Sequence, residues 1–370
     1  MGSFPSRQGD ADAVRKRREA ERKKAIAAAI RQLEESSVTN LSFCKQRLGD
    51  DGAKEIAAAL EGNLVVSAID LSFSSIRLEG VAALAAALST SGSRVTSVDV
   101  RGNTCGPEGA EALADMLRTN SRVVTLHVSG MELEDSGFSF LVAALQENTT
   151  ATSLDVSANS LGPESACKVG EMLASNTSLV ILNMGRNNLM PKGGEALAPS
   201  LQVNAALNVL NLAFSCIRTE GAIKIGQALQ ANSALTNLDL TGNGIKDPGA
   251  FALASALRVN SVLSNLLLQH NLIGTDGGIE LLGALEENAT MVALGMRGNP
   301  MEIEVLVQIS DVTSAEGIAR RRDTRAQSEG GHASGPLAAT RRLANYQRRQ
   351  PSVGNENACW CGIQLSRPGR

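Results

Sequence analysis

Apolar residues recur with two different periods along residues 235–262, and this change of period is repeated through most of the chain. The first half has the spacing of a short β-strand, with apolar positions at Leu235, Leu238 and Leu240. The second half has helical spacing, with small or apolar side chains at Ala250, Leu253, Ala254 and Leu257. Gly249 comes just before this helical half, where the pattern predicts a turn into the helix. One unit is therefore predicted to consist of a strand, a loop, a helix and a turn.

Ten copies of this unit align on the first apolar residue of each strand, and they begin at Val38, Val66, Val95, Val123, Ala151, Leu179, Leu207, Leu235, Leu263 and Met291. The intervals are 28 residues, apart from one of 29. One leucine recurs at the same helical position, at Leu60, Leu88, Leu117, Leu145, Leu173, Leu201, Leu229, Leu257 and Leu285. A glycine precedes each helix in the same way, with Ser165 as the exception. Such a repeat predicts a solenoid, because one unit is too thin to bury its own apolar face.

Neighbouring units are expected to stack with their strands in parallel and their helices on the opposite side. Parallel strands lie about 4.8 Å apart, whereas packed helices need roughly 8–10 Å between their axes. Because the helical side is wider, the stack must bend. The predicted fold is an α/β solenoid, a right-handed horseshoe with about ten parallel strands on its concave face and helices on its convex face.

The consensus L-x-x-L-x-L-x-x-N-x-I, read from Leu235 to Ile245, is typical of leucine-rich repeats. Residues 38–301 resemble repeats of the ribonuclease-inhibitor type, which also occur in NOD-like receptors and Ran GTPase-activating proteins. The resemblance implies an architecture for binding proteins rather than a shared chemistry. The sequence contains no G-x-x-x-x-G-K-[S/T] loop, so the nucleotide-binding module of a NOD-like receptor is not predicted.

Asparagine recurs at two positions of the repeat. The first set is expected to satisfy backbone groups in the loops beyond the strands, and it comprises Asn103, Asn159, Asn187, Asn243, Asn271 and Asn299. Met131 takes this place in the fourth repeat and cannot donate a hydrogen bond, so a looser loop is expected there. Asn260 represents the second set, three residues after Leu257, where a left-handed residue is predicted to end the helix.

The repeat divides the chain into four segments. Residues 1–12 are predicted to be disordered, and residues 13–37 to form a basic helix that serves as the N-terminal cap. Residues 38–302 form the solenoid. Residues 303–370 are expected to begin with a capping strand or helix and to continue as a basic, largely disordered tail.

Charge is distributed unevenly between these segments. Residues 38–302 carry 16 basic and 26 acidic groups, whereas residues 1–37 carry 9 and 6 and residues 303–370 carry 10 and 6. A protein partner with a basic surface is therefore favoured on the solenoid. The scattered cysteines show no C-x-x-C pair, and together with the lack of a secretory signal they favour a reducing, cytoplasmic compartment.

One side of each strand is expected to face the concavity, where equivalent residues of successive repeats form a row. The central row is predicted to comprise Ser42, Asp70, Asp99, His127, Asp155, Asn183, Asn211, Asp239, Leu267 and Gly295. His127 is thereby placed between Asp99 and Asp155. Two flanking carboxylates favour the charged imidazolium, so the pKa of His127 is predicted to be raised.

Further candidates for partner binding follow the central row. Arg101, Gln269 and Arg297 belong to the next row, together with small residues such as Ser129. At the strand ends the candidates are Phe73, Arg186, Phe214 and His270, since aromatic and arginine side chains are typical interface anchors. Packing of the two phenylalanines within their own loops is an equally good interpretation of Phe73 and Phe214.

The sequence favours a non-enzymatic protein-binding scaffold without a cofactor. A metal or catalytic site at Asp99, His127, Asp155 and Ser129 is the less favoured interpretation, because an open sheet excludes little water and brings few ligands together. Specific nucleic-acid binding is not predicted.

Three further hypotheses remain open. A regulator of a small GTPase is implied by the family resemblance alone, with Arg47, Arg186 and Asn188 as the first residues to test. A structural subunit of a cytoskeletal or ciliary assembly fits the sequence equally well. Gly2 begins an M-G-x-x-x-S pattern for myristoylation, and the basic run at 15–24 could add membrane contact or nuclear import.

Overall fold

The computed structural model describes residues 7–35, 38–90 and 92–330 of the chain, and in this part the strands form a single sheet. Ten strands pair in chain order, each in parallel with the next. Their bounds are β1 Asn40–Ser42, β2 Ala68–Asp70, β3 Ser97–Asp99, β4 Thr125–His127, β5 Ser153–Asp155, β6 Ile181–Asn183, β7 Val209–Asn211, β8 Asn237–Asp239, β9 Asn265–Leu267 and β10 Ala293–Gly295. The predicted ten-stranded parallel sheet is confirmed.

Helices alternate with these strands, and their bounds are α1 Arg7–Glu34, α2 Gly49–Leu60, α3 Leu78–Leu88, α4 Gly106–Thr119, α5 Glu134–Glu147, α6 Pro163–Leu173, α7 Met190–Val203, α8 Arg218–Leu229, α9 Asp247–Val259, α10 Thr275–Glu287, α11 Ile303–Thr313 and α12 Ala315–Gly330. Each helix from α1 to α10 packs on the next one. The strands and helices therefore form two layers of an α/β solenoid horseshoe, as predicted.

The core is a continuous layer between the sheet and the helices. The middle residue of each strand is buried, and so are the recurring helical leucines from Leu60 to Leu285. Gly249 lies inside the first turn of α9 and not in a turn before it, so that part of the prediction was wrong. A Cβ there would lie 2.6 Å from Cγ2 of Ile245. The glycine is needed for close packing of the loop isoleucine.

The asparagines at the helix ends have a different role from the predicted one. Asn260 is extended (φ −76°, ψ 122°), not left-handed, and it is buried. Its side-chain amide donates to the carbonyls of Leu229 and Asn232 in the preceding repeat, at 2.7 and 3.0 Å. Its side-chain oxygen accepts the backbone N–H groups of Val262 and Leu263. This asparagine joins two repeats and fixes the turn into the next strand.

The loop asparagines satisfy backbone groups as predicted. The Asn243 side chain donates to the Leu212 carbonyl at 2.8 Å and accepts the N–H groups of Ser215 and Ile217. Met131 is fully buried in the fourth repeat. Its backbone N–H donates to the Asn159 side chain at 2.8 Å, the same bond to the next repeat that the N–H groups of Asn159 and Asn243 make, so this bond does not depend on an asparagine at position 131.

The first helix caps the solenoid and is longer than predicted. α1 begins at Arg7, so the segment 7–12, expected to be disordered, is helical. Ile26 and Leu33 are buried against the first repeat. The Asn63 amide donates to the Leu33 carbonyl at 2.9 Å, as the later asparagines do to their preceding helices. α1 therefore supplies the helical half of one additional repeat.

Two helices follow the last strand. α11 packs on the solenoid through Val305 and Ile309, so the capping element is a helix and not a strand. Residues 315–330 belong to α12, although the sequence pattern predicted a largely disordered tail there. Helical periodicity is weak in this segment because its buried contact is made by a charged residue, Arg321.

Several sequence predictions lie outside the described residues. They concern myristoylation at Gly2 and the tail beyond residue 330, including its two cysteines. Across the part of the chain that the structure describes, no helix has the length and apolar character needed to span a bilayer.

Candidate protein-binding surface on the concave sheet

The central row of the concave face is formed as the spacing predicted. The strand register places Asp99 beside His127 and His127 beside Asp155, and the row continues without a shift from Ser42 to Gly295. The other members of the row are Asp70, Asn183, Asn211, Asp239 and Leu267. Most of these side chains are half-buried, and Asp99 is the most buried of them. The ten positions thus form one line across the sheet.

Most carboxylates and amides of this row are fixed by the backbone two residues later. The Asp155 side chain accepts the Ser157 N–H at 2.9 Å and the Ser157 hydroxyl at 2.6 Å. The equivalent bond, from the N–H of residue i+2, is made by Asp70, Asp99, Asn183, Asn211 and Asp239. These side chains end the strands as Asx turns, which hold the second carboxylate oxygen of each Asp, or the amide NH2 of each Asn, in a set orientation. This role was not predicted from the sequence, although the recurrence of Asp and Asn along one row was its signal.

His127 lies in a cluster of charged groups. Its Nδ1 is 3.6 Å from Oδ2 of Asp99, which also pairs with Arg101 at 3.0 Å. Interaction with the Asp99 carboxylate is the main cause that raises the pKa of His127, and Asp155 contributes in the same direction. Partial burial and the Arg101 charge oppose this effect. The predicted direction of the pKa shift is confirmed, with Asp99 more important than Asp155.

An NMR titration of the His127 imidazole is expected to give a pKa above the ordinary value of about 6.5. In an Asp99→Asn variant this pKa should fall, because the main favourable charge is removed while a side-chain oxygen is kept. The raised pKa also means that His127 stabilises the fold fully below its unfolded pKa. That contribution is lost as the pH rises through the folded pKa. A His127 pKa at or below about 6.5 would contradict the prediction.

The next row has small side chains in its centre, and arginines lie toward its two ends at Arg101 and Arg297. Ser129 and Ser157 share a hydrogen bond of 2.8 Å between their hydroxyls. Gln269 accepts from the Thr241 hydroxyl at 3.0 Å and lies over Gly295. Arg297 is exposed at one end of the row, whereas Arg101 at the other end is paired with Asp99. The Ser129 hydroxyl thus bonds to another serine hydroxyl and not to a basic side chain.

A third row follows at the strand ends, and we call it the rim. It comprises Lys45, Phe73, Gly102, Gly130, Ala158, Arg186, Phe214, Gly242, His270 and Gly298. All ten residues have positive φ angles, between 53° and 79°. This left-handed backbone suits glycine, and the larger side chains adopt it at a cost. Several rim residues were predicted at the strand ends, but their shared left-handed backbone conformation was not predicted. The glycine that recurs at this position was the sequence feature that indicated it.

The rim also decides between the two interpretations of the phenylalanines. The Phe214 ring lies against Gly242, and the Phe73 ring lies against Gly102, where an added Cβ would clash in each case. The rings nevertheless stay 43% and 50% exposed. Both interpretations are therefore partly correct, since one side of each ring packs within the fold and the other side faces solvent.

A profile of known protein families matches this chain at four places. The match is to the family described as Leucine Rich repeat, over residues 95–114, 175–198, 203–226 and 231–254. Those stretches coincide with the repeat units of the sheet and helices described above. The chain contains leucine-rich repeats. Repeats of this kind form scaffolds for protein interaction, whereas the ribonuclease-inhibitor subtype stays a prediction.

Two solved structures are among those that match this chain. Actin-binding site 2 of leiomodin-1 is 21% identical, with 50% of this chain and 97% of that chain covered and a TM-score of 0.36. The C-terminal domain of tropomodulin from Caenorhabditis elegans is 14% identical, with 59% and 98% covered and a TM-score of 0.30. No curated protein sequence matches the chain significantly. The family assignment therefore depends on the repeat profile and on the fold itself.

The leucine-rich repeat sheet brings few metal-binding groups together. Among the described residues, no group of three or more His, Cys, Asp or Glu side chains is placed to hold a metal ion. Asp99 is engaged by Arg101 and His127, and Asp155 is engaged by Ser157. The concave face consequently presents fixed charges to an incoming surface.

Proposed function

We propose that this leucine-rich repeat protein is a non-enzymatic scaffold whose concave sheet binds one protein partner. The observation that supports the proposal is the central row. Six of the seven strands from β2 to β8, all except β4, end in an Asp or Asn side chain that is oriented by a backbone hydrogen bond. Fixed polar groups lose little conformational entropy when a partner binds, so they favour recognition. The row spans the sheet and would contact an extended surface.

The partner is expected to carry a basic surface. Four carboxylates of the central row, those of Asp70, Asp99, Asp155 and Asp239, face the concavity with one oxygen held by the backbone. The whole solenoid is acidic, with 26 acidic against 16 basic groups in residues 38–302. Complementary charge increases the association rate and orients the partner, and both effects weaken with salt.

A quadruple variant tests the proposal, with Asp70, Asp99, Asp155 and Asp239 of the central row each replaced by asparagine. Asparagine keeps the oxygen that accepts the i+2 N–H, so the charge is removed while the Asx turns are kept. The matched control removes four exposed carboxylates from the convex helices by Glu→Gln substitution at Glu55, Glu111, Glu147 and Glu171. Both variants change the net charge equally.

Partners are identified by quantitative affinity capture with the wild-type protein, and binding of each purified partner is then measured by calorimetry. We expect the concave variant to lose at least tenfold in affinity and the convex control to keep its affinity. The wild-type interaction should also weaken between low and physiological salt. Equal affinity of the wild-type and concave variants for every partner would refute binding at the central row.

A further inference from the structure

Two rim positions carry a phenylalanine with a cation above it. The Arg186 guanidinium lies 5.1 Å from the centroid of the Phe214 ring, and the Lys45 ammonium lies 6.0 Å from the centroid of the Phe73 ring. In each pair the cation comes from the preceding repeat, and the ring rests on the glycine of the following repeat. The same three-repeat arrangement is thus built twice on one edge of the sheet.

Holding a phenylalanine at these positions has a cost that the fold itself does not require. Phe73 and Phe214 have φ angles of 53° and 54°, a region in which the Cβ of a non-glycine residue is sterically strained. Glycine occupies the equivalent position in Gly102, Gly130, Gly242 and Gly298. Strained residues with half-exposed aromatic side chains are characteristic of functional surfaces.

The cation of each pair is available to an external anion. Among the described residues, neither Arg186 nor Lys45 forms an ion pair with a carboxylate, and both side chains are exposed. The face of the Arg186 guanidinium is covered by Phe214, while its N–H groups lie in the plane of the guanidinium. An arginine oriented in this way suits a carboxylate, which it can bind through two parallel hydrogen bonds.

The distance between the pairs fits a single rod-shaped ligand. Phe73 follows β2 and Phe214 follows β7, which lies five strands further along the sheet. At about 4.8 Å per strand, the two residues are about 24 Å apart. A straight rod that spans a concave arc contacts it at two separated points. For an α-helix with a rise of 1.5 Å per residue, this distance corresponds to about 16 residues.

We infer that the pairs Lys45–Phe73 and Arg186–Phe214 are two anchors for one helical segment of a protein partner, with a carboxylate and an apolar side chain at each anchor. The apolar side chain covers the exposed side of the ring, and the carboxylate binds the cation. Among the described residues neither cation has an ion pair, so the two anchors favour carboxylates, whereas the acidic central row favours basic side chains elsewhere on the same partner. The inference deepens the proposed function and rests on it, since the helix would lie on the same concave face.

The experiment uses two synthetic helical peptides with a Glu–Leu pair near each end, joined by alanine and glutamine spacers. In one peptide the pairs are about 16 residues apart, and in the other about 9. Binding to the full chain is measured by fluorescence anisotropy at low salt. We expect the longer peptide to bind at least tenfold more tightly, because it alone reaches both anchors.

Variants of the anchors show whether binding occurs at the rim. Arg186→Gln and Phe214→Leu should each weaken binding of the longer peptide by about fivefold or more. The matched controls are Arg122→Gln and Phe251→Leu, which change an exposed arginine and an exposed phenylalanine away from the rim and should have no effect. A further peptide carries lysine in place of each glutamate. The Arg186→Glu variant should bind this peptide more tightly than the wild-type protein does.

A Phe214→Gly variant separates binding from folding. Glycine relieves the left-handed strain, which offsets the lost packing of the ring, so the urea midpoint of unfolding should stay close to that of the wild type. Binding of the longer peptide should nevertheless be lost. Equal affinity for both peptides, or wild-type affinity in Arg186→Gln and Phe214→Gly, would overturn the inference. The proposed function would fail separately, through unchanged capture by the Asp→Asn variant of the central row.

Discussion

Replacing Arg321 by alanine is expected to lower the free energy of unfolding by about 2–4 kcal/mol, although this residue lies beyond the last repeat. Arg321 is buried, with 8% of its surface exposed, and it makes three hydrogen bonds to backbone carbonyls. Its guanidinium donates to Leu285 at 3.2 Å, to Met291 at 2.7 Å and to Asn288. Hydrogen bonds from a charged donor contribute about 1.5–3 kcal/mol each, and water can replace part of that at the end of a solenoid.

The position of Arg321 explains why the loss should be large. Along the solenoid, each helix-end asparagine donates to the carbonyl of the recurring leucine in the preceding helix, for example Asn288 to Leu257 at 2.6 Å. The tenth unit, β10 and α11, has no asparagine at the end of its helix, so Leu285 would lack this donor. Arg321 supplies it from α12, and the burial that lowers the pKa of Arg321 leaves the guanidinium charged near neutral pH.

Urea denaturation of the full chain measures the effect, with Arg322→Ala as the control. Arg322 is the neighbouring arginine, but it is exposed and makes a single 3.4 Å hydrogen bond to the Ala289 carbonyl. That variant should lose less than about 0.5 kcal/mol. Hydrogen exchange should increase first in α10 and β10 of the Arg321→Ala variant, because solenoid repeats contact only their neighbours. Unchanged protection there would show that Arg321 is not a cap.

The solenoid could be predicted from the sequence because it is periodic. The capping role of Arg321 could not be predicted in this way. A leucine repeated every 28 residues identifies the buried face of every unit, since each unit has the same neighbours. A cap occurs once and has no period. Its contact is made by an arginine in a run of charged residues, 320–325, which resembles an ordinary solvated segment.

The candidate surface was predictable to a similar extent. The constant repeat length fixes the register, so the row that joins Asp99, His127 and Asp155 follows from counting. The fixation of the Asp side chains and the pairs at Phe73 and Phe214 depend on local backbone angles, which periodicity does not report. They became visible only when the turn geometry of each strand end was known.

Replacing Asn204 by alanine is expected to cost about 3–5 kcal/mol, more than the Arg321→Ala change. Asn204 is buried at the end of α7, and its amide donates to the carbonyls of Leu173 and Asn176 at 2.7 and 3.1 Å. Its oxygen accepts the N–H groups of Ala206 and Leu207 at 3.0 and 2.8 Å. Alanine removes all four hydrogen bonds and leaves buried backbone groups unpaired.

Urea denaturation followed by circular dichroism tests this expectation, with Asn208→Ala as the control. Asn208 is half-buried, and its side chain makes one hydrogen bond, to the Ala234 carbonyl at 2.8 Å. That variant should lose only about 1 kcal/mol. A similar loss in the two variants would contradict the joining role assigned to the helix-end asparagines.

Asn204→Asp separates the two halves of this role. The carboxylate still accepts from the two N–H groups, but it cannot donate to the carbonyls of Leu173 and Asn176 and places a charge against them. The free energy of unfolding should therefore fall at least as far as in Asn204→Ala at neutral pH, and part of the loss should be recovered when the carboxyl group is protonated at lower pH. If instead Asn204→Asp were as stable as the wild type, the turn into the next strand would be the whole contribution of Asn204, and the bonds to the preceding repeat would not stabilise the stack.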